Sequence, residues 1–364
     1  MKIPKTIFYF LALIQVVLIL GHWALFASVL FFFPSFAPYK YWLLGLLGIL
    51  SVSFFSLSLA EHKSENPLVR FGYIISGVWM PTWLYFILAS AASFVVFFIS
   101  GGNIWYFPCL FFTAAIVLSI YGIINARVLR VIRLRVSIPN LPEYWKGKTA
   151  VLATDIHLGH VLKKGFAQKV IKKINALKPE IVFIPGDFFD GVKTDFNALA
   201  KEFKKVLAPQ GIYFCSGNHE MFANYKDCEQ ALSSAGIHIL ENELTEVEGL
   251  QIAGIAYKSE TMPDFEKILE ALHLDRNKAS ILLKHVPLQL EEVRNAGFNL
   301  QLSGHTHRGQ VWPGRYMTKR YYSGFDYGYK ILGSLQIYIS SGAGTWGPPM
   351  RTFTNSEVVE ITFE

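Results

Sequence analysis

Charged residues are absent from 6–39, from 41–60 and from 71–126. Runs of this length and polarity leave a chain few places to go other than a bilayer, whose hydrocarbon core takes about 20 apolar residues per helix. Spans are expected near 7–33, 41–60, 71–99 and 105–126. The last two come from dividing the longest run at "SGGNIWYFP", 100–108, where turn formers meet the Trp and Tyr favoured at membrane interfaces. Pro81 is expected to kink the third span, which membrane helices tolerate. A cleaved signal peptide would carry an apolar stretch of only ~7–15 residues; the first run is longer and three more follow it.

Lys and Arg set the orientation. Lys2 and Lys5 precede the first span, Lys40 alone separates the first two, and Lys63 and Arg70 separate the second and third. The run between the third and fourth has none, and Arg127, Arg130, Arg133 and Arg135 follow the fourth. Both termini, and everything after residue 127, are therefore expected on the cytoplasmic side. Beyond the spans charges are spread throughout, which divides the chain into a transmembrane domain, 1–128, and a globular domain, 129–364. The mean hydropathy of +0.32 is the average of two unlike halves. The formal net charge of +7 collects beside the spans, where anionic headgroups attract it. With no zinc-finger, RRM or basic-helix signature, membrane lipids rather than nucleic acid are the expected partners. Cys109, Cys215 and Cys228 form no CxxC pair and are expected to be buried small hydrophobes.

In the globular part, "SGHTHRGQ", 303–310, places two histidines one residue apart behind a glycine. Their partners emerge when short apolar runs are read as strands. "TAVLAT", 149–154, leads into Asp155-Ile156-His157; "IVFIP", 181–185, into Gly186-Asp187; "GIYFCS", 211–216, into Gly217-Asn218-His219-Glu220; "SILLK", 280–284, into His285; and "NLQLS", 299–303, into Gly304-His305-Thr306-His307. Every one of these runs finishes in a residue able to bind a metal. Open α/β sheets build sites beyond the carboxyl ends of their strands, and Asp155, Asp187 and Asn218 recur at the ~30-residue spacing of a βαβ unit. Phe166, Val170, Ile171, Ile174 and Leu177 follow helical spacing up to Pro179, as an intervening helix should. Gly186, Gly217 and Gly304 each precede a candidate ligand, and are expected to let the chain turn off the strand.

The order D-x-H, GD, GNHE, H, GHTH resembles the calcineurin-like metallophosphoesterase superfamily over roughly 130–364, and "SSGAGTWGPPMR", 340–351, is similar to its membrane-attached, multi-span members. The resemblance implies an α/β four-layer αββα sandwich following the four-span helical bundle. It implies two divalent metal ions, the first held by Asp155, His157, Asp187 and His307, the second by Asp187, Asn218, His285 and His305. His219 would contact the scissile phosphate and protonate the leaving oxygen. Hard oxygens mixed with imidazole, without thiolate, suit Mn, Fe or Zn. Two such ions ~3.5–4 Å apart lower the pKa of a bridging water and clamp an in-line displacement. The sequence departs from the family pattern at Lys284, expected to turn away from the ions, and at Arg308, where Gly is more usual. Arg308 is a candidate grip on substrate phosphate, with a solvent-facing side chain the alternative.

His160 is a candidate substrate contact or support for a ligand. Asp190 is expected to fix the loop after Asp187. His238, in a strand-like run, and His273, on a helix, are expected to be structural, and His22 is either a functional intramembrane group or a hydrogen bond between helices. The segment 314–330, with Arg315, Lys319 and Arg320 among tyrosines, is expected as a loop bordering the cleft, able to meet headgroups or an anionic substrate. The expected function is a membrane-bound, dinuclear metal-dependent phosphoesterase in a bacterial cell membrane, its catalytic domain cytoplasmic. It would hydrolyse a phosphoester or pyrophosphate, lipid-linked substrates included, by a metal-bridging hydroxide. The alternatives are an anchored phosphodiesterase of soluble substrates and a non-enzymatic scaffold. A transporter is disfavoured, because the spans carry few ionisable groups.

Overall fold

A computed structural model describes residues 5–61, 66–102, 106–191, 194–260 and 262–364. Lys2, Lys63 and residues 103–105 of the expected interfacial turn lie outside the described residues. The chain divides into two compact units, one of Met1–Ile124 with Gly347–Met350, the other of Asn125–Trp346 with Arg351–Glu364.

The first unit carries α1 (Lys5–Phe32), α2 (Lys40–Glu61), α3 (Pro67–Ile99) and α4 (Tyr106–Ala126). Each contains a stretch long and apolar enough to cross a membrane. The helix α3 continues through Pro81. His22 is fully satisfied: its Nδ1 lies 2.7 Å from the Leu18 carbonyl, its Nε2 accepts the Trp79 indole N–H at 2.9 Å, and its ring stacks on Trp83. That is the hydrogen bond between helices. Cys109 is exposed, contrary to expectation, because α4 presents it outward; Cys215 and Cys228 are buried.

Among the described residues, the second unit contains twelve strands: β1 (Leu129–Val136), β2 (Thr149–Leu152), β3 (Ile181–Pro185), β4 (Ile212–Cys215), β5 (Ile237–Ile239), β6 (Glu243–Val247), β7 (Leu250–Gly254), β8 (Ser280–Leu283), β9 (Leu300–Ser303), β10 (Gly328–Leu332), β11 (Leu335–Ile339) and β12 (Ser356–Phe363). Its helices are α5 (Lys164–Ala176), α6 (Phe196–Lys201), α7 (Asn218–Phe222), α8 (Tyr225–Ser234), α9 (Phe265–Ala271), α10 (Leu290–Ala296) and α11 (Gly314–Tyr321). One sheet has the order β1-β12-β2-β3-β4-β5, the other β10-β11-β9-β8-β7-β6. The strands β2 to β5 are mutually parallel, as are β7, β8, β9 and β11.

Strand alternation explains the layering. In β3, Ile181 and Phe183 enter the core between the sheets, where Ile281 and Leu302 of the second sheet meet them. Val182 and Ile184 point the other way, against Val170 and Ile174 of α5 and Leu232 of α8. On the far side, Leu282 and Ile337 pack beneath Phe265 and Leu269 of α9 and Val293 of α10. Strands covered on both faces read as continuous apolar runs rather than alternating ones. The result is helices, sheet, sheet, helices, the four-layer sandwich. All five expected strands are present, but they belong to two sheets, so the strand ends converge across the sandwich rather than along one sheet.

Two local expectations are corrected. The segment 314–330 is not a loop: 314–321 form α11 and 328–332 form β10. The stretch "GRYMTKRY" holds a single β-branched residue and no proline to oppose a helix. His273 lies beyond the end of α9 with φ +53°, in a turn rather than on the helix. His238 lies in β5, stacked on Tyr213.

Candidate metal centre

The site is assembled from loops that leave β2, β3, β4, β8 and β9. Asp155, His157, Asp187, His305 and His307 all have φ between +46° and +70°, a region that non-glycine residues seldom occupy. The sharp turn is therefore made by the ligand candidates themselves. Of the three glycines, Gly186 shares the left-handed conformation (φ +85°). Gly217 and Gly304 serve a different need. A Cβ on Gly217 would collide with the Asp187 side chain, and one on Gly304 with Asp155.

Main-chain bonds tie these loops together. The N–H groups of Asp155 and His157 donate to the carbonyls of Gly186 and Asp187, at 3.2 and 3.1 Å. Asp187 Oδ1 accepts the His219 N–H at 2.9 Å, and Asp155 Oδ1 the His305 N–H at 3.0 Å. Two buried glutamates complete the frame. Glu220 accepts N–H bonds from Asp187, Phe189 and Gly217, at 3.0, 3.0 and 2.9 Å. Glu260 accepts those of His285 and Val286, at 2.6 and 2.9 Å.

Two groups of ligand atoms result. In one, His157 Nε2 and His307 Nε2 are 2.9 Å apart, and Asp155 Oδ1 is 4.0 and 3.4 Å from them. In the other, His285 Nε2 is 3.2 Å from Asn218 Oδ1 and 3.2 Å from His305 Nδ1. Asp187 Oδ2 belongs to both, 3.8 Å from His157 Nε2 and 3.2 Å from His285 Nε2. Ligand atoms about 2.1 Å from a shared ion lie about 3.0 Å apart at right angles and about 4.2 Å apart in line, and the observed separations span that interval. His285 Nδ1 is 2.8 Å from the Pro185 carbonyl, a bond that turns Nε2 inward, the usual outer support of a metal-binding imidazole.

Electrostatics fit a bound cation. Burial holds His157 down to about 4 and His305 to about 3, and takes His307 well below its usual range; all three are neutral, the ligating form. Burial pushes Asp155 up to about 7. Burial would also raise Asp187, but the histidines around it, His285 first, outweigh this and hold it well below the carboxylate range. Buried carboxylates this close together require positive charge between them.

His219 stands at the junction of the two groups, its ring 4.6 Å from that of His157. Asp155, His157 and His307 form one cluster of metal-ligand spacing, and Asp187, His285 and His305 another. A third, His157, Asp187 and His219, includes His219 itself. Its Nδ1 is 3.0 Å from Asp190 Oδ1. Burial disfavours its charge, yet that bond and the neighbouring carboxylates raise it to about 9. Burial likewise disfavours the charge of His285, yet Asp187 and Asp155 raise it to about 10; a protonated imidazole donates and must lose that proton before it can ligate an ion. Asp190, read from sequence as fixing its loop, holds His219 as well.

Lys284 is wholly buried and donates to the Val286 carbonyl at 2.7 Å, 3.7 Å from Glu260. The guanidinium of Arg308 lies 4.1 Å from the centre of the Tyr327 ring. His160 is buried in the turn where the Gly159 N–H donates to the Leu162 carbonyl. Sequence reasoning missed Arg351. Fully buried, it donates to the carbonyls of Ser341 and Gly344 at 2.6 and 2.7 Å, and its Nη2 is 3.1 Å from His307 Nδ1. The only signal was its place at the end of "SSGAGTWGPPMR".

Residues 149–309 match the family described as calcineurin-like phosphoesterase. An uncharacterized metallophosphoesterase of Campylobacter jejuni is 34% identical over 63% of this chain and 62% of its own length. A "transmembrane protein with metallophosphoesterase domain" of Danio rerio is 29% identical over 68% of this chain and 60% of its own. This chain thus spans about three fifths of the length of these two relatives. An uncharacterized metallophosphoesterase of Aquifex aeolicus is 30% identical over 69% of this chain and 97% of its own length. Ligand-spaced histidines and aspartates, two sheets that deliver them and these relatives agree: the chain belongs to the calcineurin-like metallophosphoesterase family.

Proposed function

We propose that this protein is an integral-membrane phosphoester hydrolase that works with two divalent metal ions at the cytoplasmic face of a bacterial cell membrane. The observation that carries the reading is Asp187 Oδ2, within 4 Å of an imidazole from each of the two ligand groups. Asp155, His157, Asp187 and His307 would hold one ion, and Asp187, Asn218, His285 and His305 the other. Bound there, the pair supplies a water of lowered pKa and neutralises charge on the transferred phosphoryl group. The chain's own part is positioning. Glu220 and Glu260 fix the loops, Asp190 aims the His219 ring, and His219 gives its proton to the departing oxygen. Arg308 and His160 remain candidate contacts to the substrate.

The substrate class we favour is a lipid-linked phosphoester or pyrophosphate. Its support is α11, where Arg315, Lys319 and Arg320 stand among exposed tyrosines on a segment that follows the last ligand motif directly. Arg and Tyr tips reach naturally to headgroup level. The test uses full-length protein. It should bind about two ions, measured by elemental analysis, and turn over a chromogenic phosphodiester. Arg315, Lys319 and Arg320 changed together to Gln should impair hydrolysis of a phospholipid in vesicles far more than of the soluble ester. Equal loss on both substrates favours an anchored enzyme of soluble esters. Full metal loading with no turnover of any ester favours the scaffold.

A further inference from the structure

We propose that Phe222 and Trp346 form the leaving-group subsite, and that it accepts an alcohol whose body beside the scissile oxygen is apolar. The proposal rests on the reading of His219 as the proton donor. The Phe222 and Trp346 ring centroids lie 5.7 and 6.5 Å from that of His219, at interplanar angles of 64° and 78°. The two residues are nonetheless 68% and 57% exposed. Single exposed apolar residues are ordinary; what sets these two apart is that both rings face the same imidazole.

Both rings stand on elements that also carry the chemistry. Phe222 ends α7, one turn beyond His219, and residues three apart share a helix face. Trp346 is gripped at its backbone by buried Gln310, whose Nε2 donates to the Trp346 carbonyl at 2.8 Å while its Oε1 accepts the Trp346 N–H at 2.9 Å. Gln310 is in turn fixed through its own carbonyl, which accepts from the Thr352 N–H and the Thr354 hydroxyl. The exposed indole is therefore mounted on a built platform rather than left on a loose loop.

The other side of the centre differs in kind. Tyr257 lies 6.3 Å from His285 and Tyr322 6.4 Å from His305, both rings with polar tips. Phenols beside the second ligand group suit the phosphoryl oxygens and a polar substituent; rings without hydroxyls beside His219 suit an apolar departing group. In the reaction, water oxygen bonds to phosphorus as the ester P–O bond breaks. The bond's electron pair goes to the leaving oxygen, which takes the His219 proton; the attacking water keeps one proton and releases the other to solvent, from which His219 is reprotonated, and the alcohol departs between Phe222 and Trp346.

Alkyl alcohols of different length share nearly the same acidity, so differences among their esters report binding. Ethyl, butyl and hexyl phosphate should be hydrolysed by the metal-loaded, full-length protein with kcat/KM rising about twofold per methylene, half the ~fourfold of complete burial. Ethyl-, butyl- and hexylphosphonate, which resist hydrolysis, should bind in the same order by calorimetry. In Phe222→Ala with Trp346→Ala the hexyl-to-ethyl ratio should fall toward one in both measurements, with metal content retained. Trp346→Phe should preserve most of the ratio. A flat series in the wild-type protein, or a ratio unchanged in the double variant, overturns the subsite. If no ester turns over while the phosphonates still rank by length and lose that ranking in the double variant, the subsite stands and the hydrolytic reading fails.

Discussion

Replacing Glu220 tests whether the frame behind the ligand loops is held as the hydrogen bonds indicate. Its Oε2 accepts from Asp187 and Gly217, and its Oε1 from Phe189. Glu220→Ala leaves three buried N–H groups without a partner, at roughly 1–3 kcal/mol each. Burial raises the Glu220 pKa, so keeping this carboxylate charged is itself expensive, and its removal refunds part of the loss. The net destabilisation should then be about 3–5 kcal/mol. Glu220→Gln keeps one oxygen for Asp187 and Gly217 but turns an amide N–H₂ toward the Phe189 N–H, and should cost about 1–3 kcal/mol. Thermal unfolding of the full-length protein gives the ranking, and hydrogen exchange at the amides of Asp187, Phe189 and Gly217 localises it. Metal affinity should fall in the same order, because the Asp187 loop loosens. An alanine variant within 1 kcal/mol of wild type, with those three amides still protected, would refute the reasoning.

Asp187→Asn should lower metal occupancy and abolish turnover, since one carboxylate serves both ligand groups; elemental analysis and a chromogenic assay check it. His219→Ala should keep its metal and slow turnover by about 10²–10⁴, with a smaller effect on esters of acidic alcohols; loss of metal instead would make His219 a ligand. Glu241 accepts the Ser216 N–H and hydroxyl at 2.7 and 2.9 Å, and burial lifts its pKa from 4.5 to about 7. Here the folded state binds the extra proton. Stability from this group should thus be greatest below pH 4.5 and fall as pH rises through 7, by at most about 3 kcal/mol; Glu241→Gln should flatten the melting profile across that window. A cysteine at Asn103 should be labelled from outside intact cells and one at Ser64 should stay protected; the reverse would place the catalytic domain outside.

What the sequence made legible was periodic or contiguous. Charge-free runs marked the membrane helices, and "IVFIP" and "SILLK" marked strands because both faces of each are covered. The ligand candidates were legible for the same reason: each directly follows such a run. What escaped depends on contacts between distant positions. Nothing near Glu260 shows that its carboxylate caps the amides of His285 and Val286. Arg351 is an ordinary charged residue until the fold buries it beside His307. Segment 314–330 reads as a loop because Gly314, Gly324 and Gly328 cut it into pieces too short for a clear periodic signal, although 315–321 hold no breaker. That the ligand loops come from two sheets could not be read from spacing, because parallel strands recur at similar intervals in one sheet or two.

The backbone explains why so many buried carboxylates surround so few residues. Left-handed conformations at Asp155, His157, Asp187, His305 and His307 cost on the order of 1 kcal/mol or more each, and persist only where neighbours over-determine them. Asp187 is bound at its own N–H by Glu220 and at its Oδ1 by the His219 N–H. Asp155 is bound at its N–H by the Gly186 carbonyl, and its side chain accepts the His305 N–H. Asp187 thus also holds the main chain of the neighbouring loop of its own sheet, and Asp155 that of a loop from the other sheet. The donor atoms are fixed before any ion arrives, so little ordering is left for an entering ion to impose, and the strain is carried by bonds among the loops after β2, β3 and β4 and by the Asp155–His305 bond that joins the two sheets' loops.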